Sequence, residues 1–427
     1  MTRPRAAVVG SGVAGLTAAY ILQRRYDVTL FEADRRLGGH AHTHEVSATG
    51  GRTVRVDTGF LVHNERTYPQ LLRLFGELAV LTQESEMSMS VRCEGCGLEY
   101  AGARKLGGLF ADPRNLARPR YLRMLGEVTH FHRAARHLLA RDEAGSDEAG
   151  SAELTLGRFL TAGRYSRYFV DHFMMPLVSA VWSTGPQDSA QQPARNLFQF
   201  LDNHGMLSVG GSPPWRTVVG GSRSYVDKVA ERLSAIRVST PVRTVSRGFE
   251  ALEIRDDADS VHQFDRTVVA THPDAALGML ADPSLAQKEI LGAFTYSRNE
   301  AWLHTDASIL PRRAAARASW NYLKETCSGT EGPPLVSYDL NRLMRLGEPL
   351  SYVVTLNGTD RVSGPTVLAR MSYEHPVFTP ESLAAQRRLP EISDETLAFA
   401  GAYHGWGFHE DGCEAGVRAA ACLGVDW

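Results

Sequence analysis

Hydrophobic positions along the chain follow two kinds of spacing. Ala6 to Val9 and Val28 to Phe31 are short continuous apolar runs, the pattern of buried strands. Between them, Leu16 to Arg25 carries Ala, Leu and Ile at helical spacing. Residues 1–75 therefore read as a strand–helix–strand unit with extensions. In residues 76–140, "YLRMLGEVTHFHRAARHLLA" reads as helix. "RDEAGSDEAGSAE", residues 141–153, is polar and small and reads as an exposed loop. Residues 154–205 read mostly as helix. Within them "YSRYFVDHFMMPLVSAVW" is apolar around much of its circumference, so it belongs to a core or lines an apolar pocket. A glycine-rich loop then leads into the helix "SRSYVDKVAERL". "IRVSTPVRTVSRGFEALEIRDD", "NEAWLHTD" and "LSYVVTLN" alternate as strands do, and "FDRTVVATHPDAAL" is a strand entering a turn and a helix. The C-terminal segment reads as strand, glycine-rich loop and helix.

The first junction carries chemistry. Gly10, Gly12 and Gly15 form G-x-G-x-x-G directly after the first strand, with Val13 and Ala14 between them. The first glycine permits the tight turn, the second lets a pyrophosphate approach the backbone, and the third lets helix and strand pack closely. A helix that starts there turns free N–H groups toward phosphate. Glu32 ends the second strand, where its carboxylate can accept from both ribose hydroxyls and would repel a 2′-phosphate. The pattern predicts a dinucleotide site disfavouring NADP. By itself it leaves NAD and FAD open.

Bulk composition excludes other classes. The 427 residues allow roughly two or three domains. With 43% hydrophobic and 22% charged residues and a net charge of −2, neither nucleic acid nor an anionic membrane surface is indicated. No run reaches the roughly 18 uncharged apolar residues of a membrane-spanning helix. Gln23, Arg24 and Arg25 follow the N-terminal apolar run without a cleavage region, so a cytoplasmic location is expected. The five cysteines do not suggest a disulfide framework. Cys93 and Cys96 form C-x-x-C in "VRCEGCGLEY", but no second such pair follows and a closed zinc site wants four ligands. A structural turn is the expectation there, with metal binding or a redox pair as alternatives, and no metal site is assigned.

Four further stretches carry a resemblance: "EADRRLGGHAHT", "VDTGFLVHN", "VSTPVRTV" and "AFAGAYHGWGFHEDGCEAGVRAA". The chain resembles the flavin amine oxidase and phytoene desaturase superfamily. Within it, the chain is similar to a bacterial group of FAD-binding oxidoreductases that resembles a fatty-acid double-bond isomerase. The resemblance implies FAD. It implies that Glu32, Ala33, Arg36, Gly38 and Gly39 hold the dinucleotide, with His40 where Arg is common. Asp57 to Leu61, including Thr58, Gly59 and Phe60, match the segment beside the isoalloxazine. Val242 matches the residue whose backbone meets adenine, with Ala270 and Thr271 closing that side. Ala400 and Gly401 match a strand end. Gly407 to Glu410, including Phe408 and His409, match a helix start that directs N–H groups at the flavin pyrimidine oxygen.

Two departures count against ordinary amine oxidation. Glu300 of "SRNEAWLHTD" falls where many amine oxidases have a Lys near flavin N5, and no cysteine matches a covalent flavin attachment. Glu300, if buried, could act as a base, and His404 or His409 could move a proton. Tyr403, His404, Trp406, Phe408 and His409 crowd the expected flavin edge and could equally wall the ring. His40, His42 and His44 alternate and could ligate zinc, though their place in the flavin loop favours hydrogen bonding or packing. Trp320, Asn321, Tyr322, Thr355 and Asn357 are candidate polar groups of the pocket.

The expected fold class is α/β: a Rossmann-like, glutathione-reductase-type FAD-binding domain with a mixed α+β substrate-binding domain. Segments 1–75, 206–285 and 390–427 would form the first, and 76–205 and 286–389 the second. The expected function is an FAD-dependent oxidoreductase that moves hydride from a carbon of a small, hydrophobic, lipid-like substrate to flavin N5. The alternatives are a redox-neutral double-bond isomerase acting on a fatty acid or acyl chain, and a flavin-binding protein without turnover.

Overall fold

A computed structural model describes residues 3–48, 50–102, 105–143, 154–208, 210–249, 251–328 and 332–427. Its centre is a five-stranded parallel sheet in the order Ala235–Arg237, Asp27–Phe31, Arg5–Val9, Arg266–Val269, Leu397–Phe399. Asp27–Phe31, Arg5–Val9, Arg266–Val269 and Leu397–Phe399 are short, mostly apolar runs because both faces are covered, whereas the edge strand Ala235–Arg237 is largely exposed. The helix Val13–Leu22 is buried along its whole length. It lies under the helix His409–Cys422, and small residues allow the approach: a Cβ on Gly416 would collide with the Ala14 carbonyl oxygen. A three-stranded antiparallel sheet, Val242–Arg247, Leu252–Asp256 and Val261–Phe264, stands beside this layer.

A second sheet has seven strands in the order Val367–Val377, Thr295–His304, Val353–Leu356, Leu335–Asp339, Trp320–Lys324, Met89–Cys93, Leu98–Gly102. All neighbours run antiparallel except Trp320–Lys324 and Met89–Cys93. Helices Pro119–Glu143, Leu156–Ala162, Met175–Trp182 and Ala194–Asn203 pack on it around an aromatic core that includes Phe131, Phe169, Phe198 and Phe200. The apolar stretch after Tyr165 is helical as expected, but Val170–Met174 is a π-helical turn. An inserted residue of this kind swings one side chain out of the helical register. The fold class read from the sequence is the one observed. The expected loop at 141–153 differs at its start, since helix Pro119–Glu143 continues through residue 143; the rest lies outside the described residues.

Candidate functional site

One long cavity runs from the first glycine turn, past the second sheet, to the helices that cover it. At its first end the Gly10 N–H donates to the Phe31 carbonyl at 2.8 Å, which folds the turn. A Cβ on Gly12 would meet nothing within 4 Å, so this α-carbon faces open space. A Cβ on Gly15 would strike the Gly10 carbonyl oxygen, so Gly15 serves packing and does not line the cavity. The helix Val13–Leu22 has neither a side-chain cap nor an acid in its first turn, which leaves its N-terminal N–H groups for an anion. Glu32 lines the same end. Its carboxylate accepts from the Ser11 N–H at 2.9 Å, the Ser11 hydroxyl, and the Asp34 N–H at 2.8 Å. Gly39 closes on this turn: a Cβ there would lie 3.2 Å from the Gly12 α-carbon.

Several expected cofactor residues sit behind the wall. Gly38 donates its N–H to the Ser11 carbonyl at 3.1 Å and anchors the loop. Arg36 pairs with Asp34 at 3.6 Å. Ala33, Arg36, Gly38 and Val242 are absent from the cavity lining. Val242 opens the antiparallel sheet, and it is Thr240 whose N–H reaches the Glu32 carbonyl, at 2.9 Å. Ala270 and Thr271 do line the cavity.

The middle of the cavity is walled by Thr58, Gly59, Phe60 and Leu61. The Phe60 N–H donates to the His40 carbonyl at 2.8 Å, which sets this segment against the Gly-Gly loop. Tyr373, which the sequence reading missed, bridges the two. Its hydroxyl lies 2.8 Å from Thr58 Oγ1 and 3.0 Å from His42 Nδ1. His375 and Tyr296 were missed too. They lie on two long paired strands, and the alternation of Val367, Ala369, Met371 and Tyr373 with exposed Leu368, Arg370, Ser372 and Glu374 is the signal that could have found the second of these strands. His40 is half-buried against Tyr373 and His375, and its buried Nε2 has no hydrogen-bond partner. Burial lowers His40 and His375, the latter to about 4, so both are neutral at pH 7. His42 packs against His44 with ring centroids 4.0 Å apart and planes tilted by 35°, while His40 packs on Tyr373, so the three do not converge on an ion.

Gly401, Tyr403, Phe408 and His409 complete this wall. The Phe408 N–H is not free, because Asp411 accepts it at 2.8 Å. Glu410 accepts from the Gln70 and Leu71 N–H groups at 2.8 and 3.0 Å and so caps another helix. Two catalytic expectations are corrected. Glu300 is exposed, and its neighbours Asn299 and Ala301 take the buried positions of the strand. The period of two places Glu300 on the outer face, so it cannot be a buried base. His404 lies beside Tyr403 and is absent from the cavity lining. Only His409 of the three faces the cavity. Of the candidate pocket groups, Trp320 lines it. Asn321 is consumed by Ser90, Ala318 and Ser337, Thr355 by His304 and Ser337, and Asn357 by Asn299 and Pro334. Tyr322 is in the core.

The family model for flavin containing amine oxidoreductases matches residues 13–364. The chain belongs to this family. Tryptophan 2-monooxygenase of Pantoea agglomerans pv. gypsophilae is 23% identical over 359 residues, 71% of this chain and 61% of that protein. L-amino-acid oxidase of Notechis scutatus scutatus is 40% identical over 81 residues, 18% of this chain and 16% of that protein. The chain thus spans under two thirds of the curated relatives it matches. Among solved structures, cyclohexylamine oxidase from Brevibacterium oxydans IH-35A superposes with a TM-score of 0.71 at 15% identity, covering 99% of this chain and 98% of that one. A fatty acid isomerase from P. acnes, described as producing CLA, superposes with a TM-score of 0.68 at 13% identity over 99% of both chains.

The family is that of flavin containing amine oxidoreductases, and the residues of this chain fit FAD. The open space at Gly12, the uncapped helix start, the Glu32 carboxylate and the orphaned His40 Nε2 lie along one continuous wall. Beyond that wall the cavity becomes a chamber of Trp182, Phe200, Met206, Trp320, Tyr338 and Leu356. Among the described lining residues there is no Lys or Arg, and the carboxylates are Glu32 and Glu374. Glu374 is already paired with His272 at 3.2 Å.

Proposed function

We propose that this enzyme removes hydride from a carbon of a hydrophobic, lipid-like substrate. The observation that carries the reading is the chamber itself: aromatic and aliphatic, with no Lys or Arg among the described lining residues to hold an amino-acid carboxylate, and with Glu32 and Glu374 as the carboxylates among them, the second already paired with His272. FAD, when bound, supplies the hydride acceptor. The chain's own residues orient the substrate between Trp182, Phe200 and Trp320, exclude water, and present neutral His375 and His409 with the Tyr373 hydroxyl as the polar groups near the flavin wall. The division into 1–75, 206–285 and 390–427 for FAD and 76–205 and 286–389 for substrate belongs to the same proposal. Membership of the parallel and seven-stranded sheets supports it.

A redox-neutral double-bond isomerase is the second reading, since the same chamber and hydride chemistry would serve it. The full-length superposition on the fatty acid isomerase favours a common scaffold. Anaerobic mixing with a panel of unsaturated fatty acids, acyl esters, amines and amino acids decides. Stable bleaching of the flavin by a lipid supports net oxidation. Product formation without lasting bleaching supports isomerisation. Bleaching by an amine or amino acid, with none by any lipid, would overturn both lipid readings.

A further inference from the structure

The C-x-x-C turn does not stand alone. Cys93 and Cys96 sit in the turn between strands Met89–Cys93 and Leu98–Gly102. Cys327 follows the adjoining strand Trp320–Lys324, and His172 lies in the π-helical turn Val170–Met174. One ligand atom from each lies within 4.8 Å of all the others. We propose that Cys93, Cys96, Cys327 and His172 form a closed structural zinc site that ties the helical cover of the chamber to its sheet.

The distances decide between chemistries. Cys93 Sγ and Cys327 Sγ are 3.8 Å apart, and Cys96 Sγ is 3.7 Å from His172 Nε2. A disulfide would bring two sulfurs to about 2.05 Å. Two thiolates each about 2.3 Å from a tetrahedral zinc stand about 3.8 Å apart. All five cysteines are free thiols in the structure.

The surroundings are arranged for ligation. His172 Nδ1 lies 3.2 Å from the Tyr168 carbonyl, which accepts its proton and leaves Nε2 as the donor to metal. The ring stacks on Tyr168 with centroids 4.1 Å apart. Cys93 and His172 are each 1% exposed, which shields the centre on its inner side. Gly97, directly after the second cysteine, has φ +64°, and this left-handed residue turns the backbone around the pair. Gly95 permits the second loop to close in, since a Cβ there would lie 2.8 Å from the Cys327 nitrogen. Three thiolates, one neutral imidazole and Zn²⁺ leave one net negative charge. Lys324, 2% exposed at the end of the adjoining strand, pairs in register with Cys93.

The site closes no coordination position to spare, so its role is mechanical. His172 is ten residues before Trp182 on one continuous helical stretch, and Trp182 lines the substrate chamber. Clamping His172 to the hairpin fixes that stretch against the sheet.

Metal analysis of the purified FAD-loaded protein, after exchange through a metal-free column under reducing conditions, is expected to give one zinc per chain. Replacing the zinc with cobalt(II) is expected to give tetrahedral ligand-field bands to the red of the flavin absorption, with thiolate charge-transfer bands in the near ultraviolet. Cys327→Ser and His172→Ala should each lower zinc content at least about tenfold. His172→Cys, which restores a donor, and Cys422→Ser, remote from the cluster, should keep it. Should a depleted variant fail to fold, the cobalt spectrum of the unaltered chain still decides. Zinc-free protein that takes up neither zinc nor cobalt, a Cys93 or Cys96 disulfide on non-reducing peptide mapping, or octahedral cobalt would each overturn the proposal.

Discussion

His409 stacks on Phe60, with ring centroids 3.8 Å apart and planes 11° from parallel. The pair joins two segments far apart in sequence, the flavin-side loop and the first residue of the C-terminal helix. Tyr225 fixes the imidazole from behind, its hydroxyl 3.1 Å from Nε2. Burial lowers His409 to about 3, so the ring is neutral at working pH and walls the cavity. His409→Phe keeps the stack and removes the polar tip. It is expected to retain FAD, whereas His409→Ala should release a measurable fraction of it; the ratio of flavin to protein absorbance after gel filtration reads both.

Gly12→Val should give a folded, colourless protein. A Cβ at Gly12 meets no protein atom within 4 Å, so the added side chain projects into the space the pyrophosphate needs. Gly15→Ala should instead damage folding, because its methyl strikes the Gly10 carbonyl oxygen. Circular dichroism with flavin absorbance separates the two. Full FAD occupancy in a folded Gly12→Val variant would show the dinucleotide to lie elsewhere.

Glu32→Gln should weaken FAD binding by at least about tenfold, since a hydrogen bond to a charged group is worth about 1.5–3 kcal/mol. The carboxylate also orders the turn through the Ser11 and Asp34 N–H groups. Titration of the apoprotein with FAD measures the change.

Glu300→Gln should leave flavin reduction unchanged within about twofold, as for an exposed substitution away from the site. A hundredfold slowing would return Glu300 to the mechanism. Tyr373→Phe is expected to alter the reduction rate or the flavin spectrum, because it removes the hydroxyl shared by Thr58 and His42.

Acid should destabilise the chain below about pH 6.5, the ordinary histidine value. His42 and His409 are lowered to about 3, and His63, His304 and His375 to about 4, chiefly by burial. Each binds a proton in the unfolded chain before it does in the folded one, so stability is full above pH 6.5 and is lost as pH falls toward the folded values. Asp57 and Asp411, raised to about 6, and Glu410, raised to about 7, act in the opposite sense, but they are fewer and none is shifted as far as His42 or His409. Melting temperature measured from pH 7.5 to 4.5 should therefore fall, and a rise would reverse the balance.

The glycine turn and its strand-end acid were legible in the chain. Gly10, Gly12, Gly15 and Glu32 are close in the chain, and each is needed for a local reason: a turn, an open approach, a helix contact, a strand-end acid. Short apolar runs likewise announced the parallel sheet, because strands covered on both faces need no alternation. Tertiary structure decided what depends on facing and on distant pairing. One residue of register on Thr295–His304 turned Glu300 outward and Asn299 inward, and a period of two cannot be phased from a strand whose two faces are both mixed. Tyr373 reaches Thr58 across 315 residues of chain. Cys327 meets Cys93 across 234 residues, and His172 meets Cys96 across 76, so a four-ligand cluster was invisible to any search for a second C-x-x-C. Local chemistry is written in neighbouring residues; convergence is set by the sheets and helices that bring remote ones together.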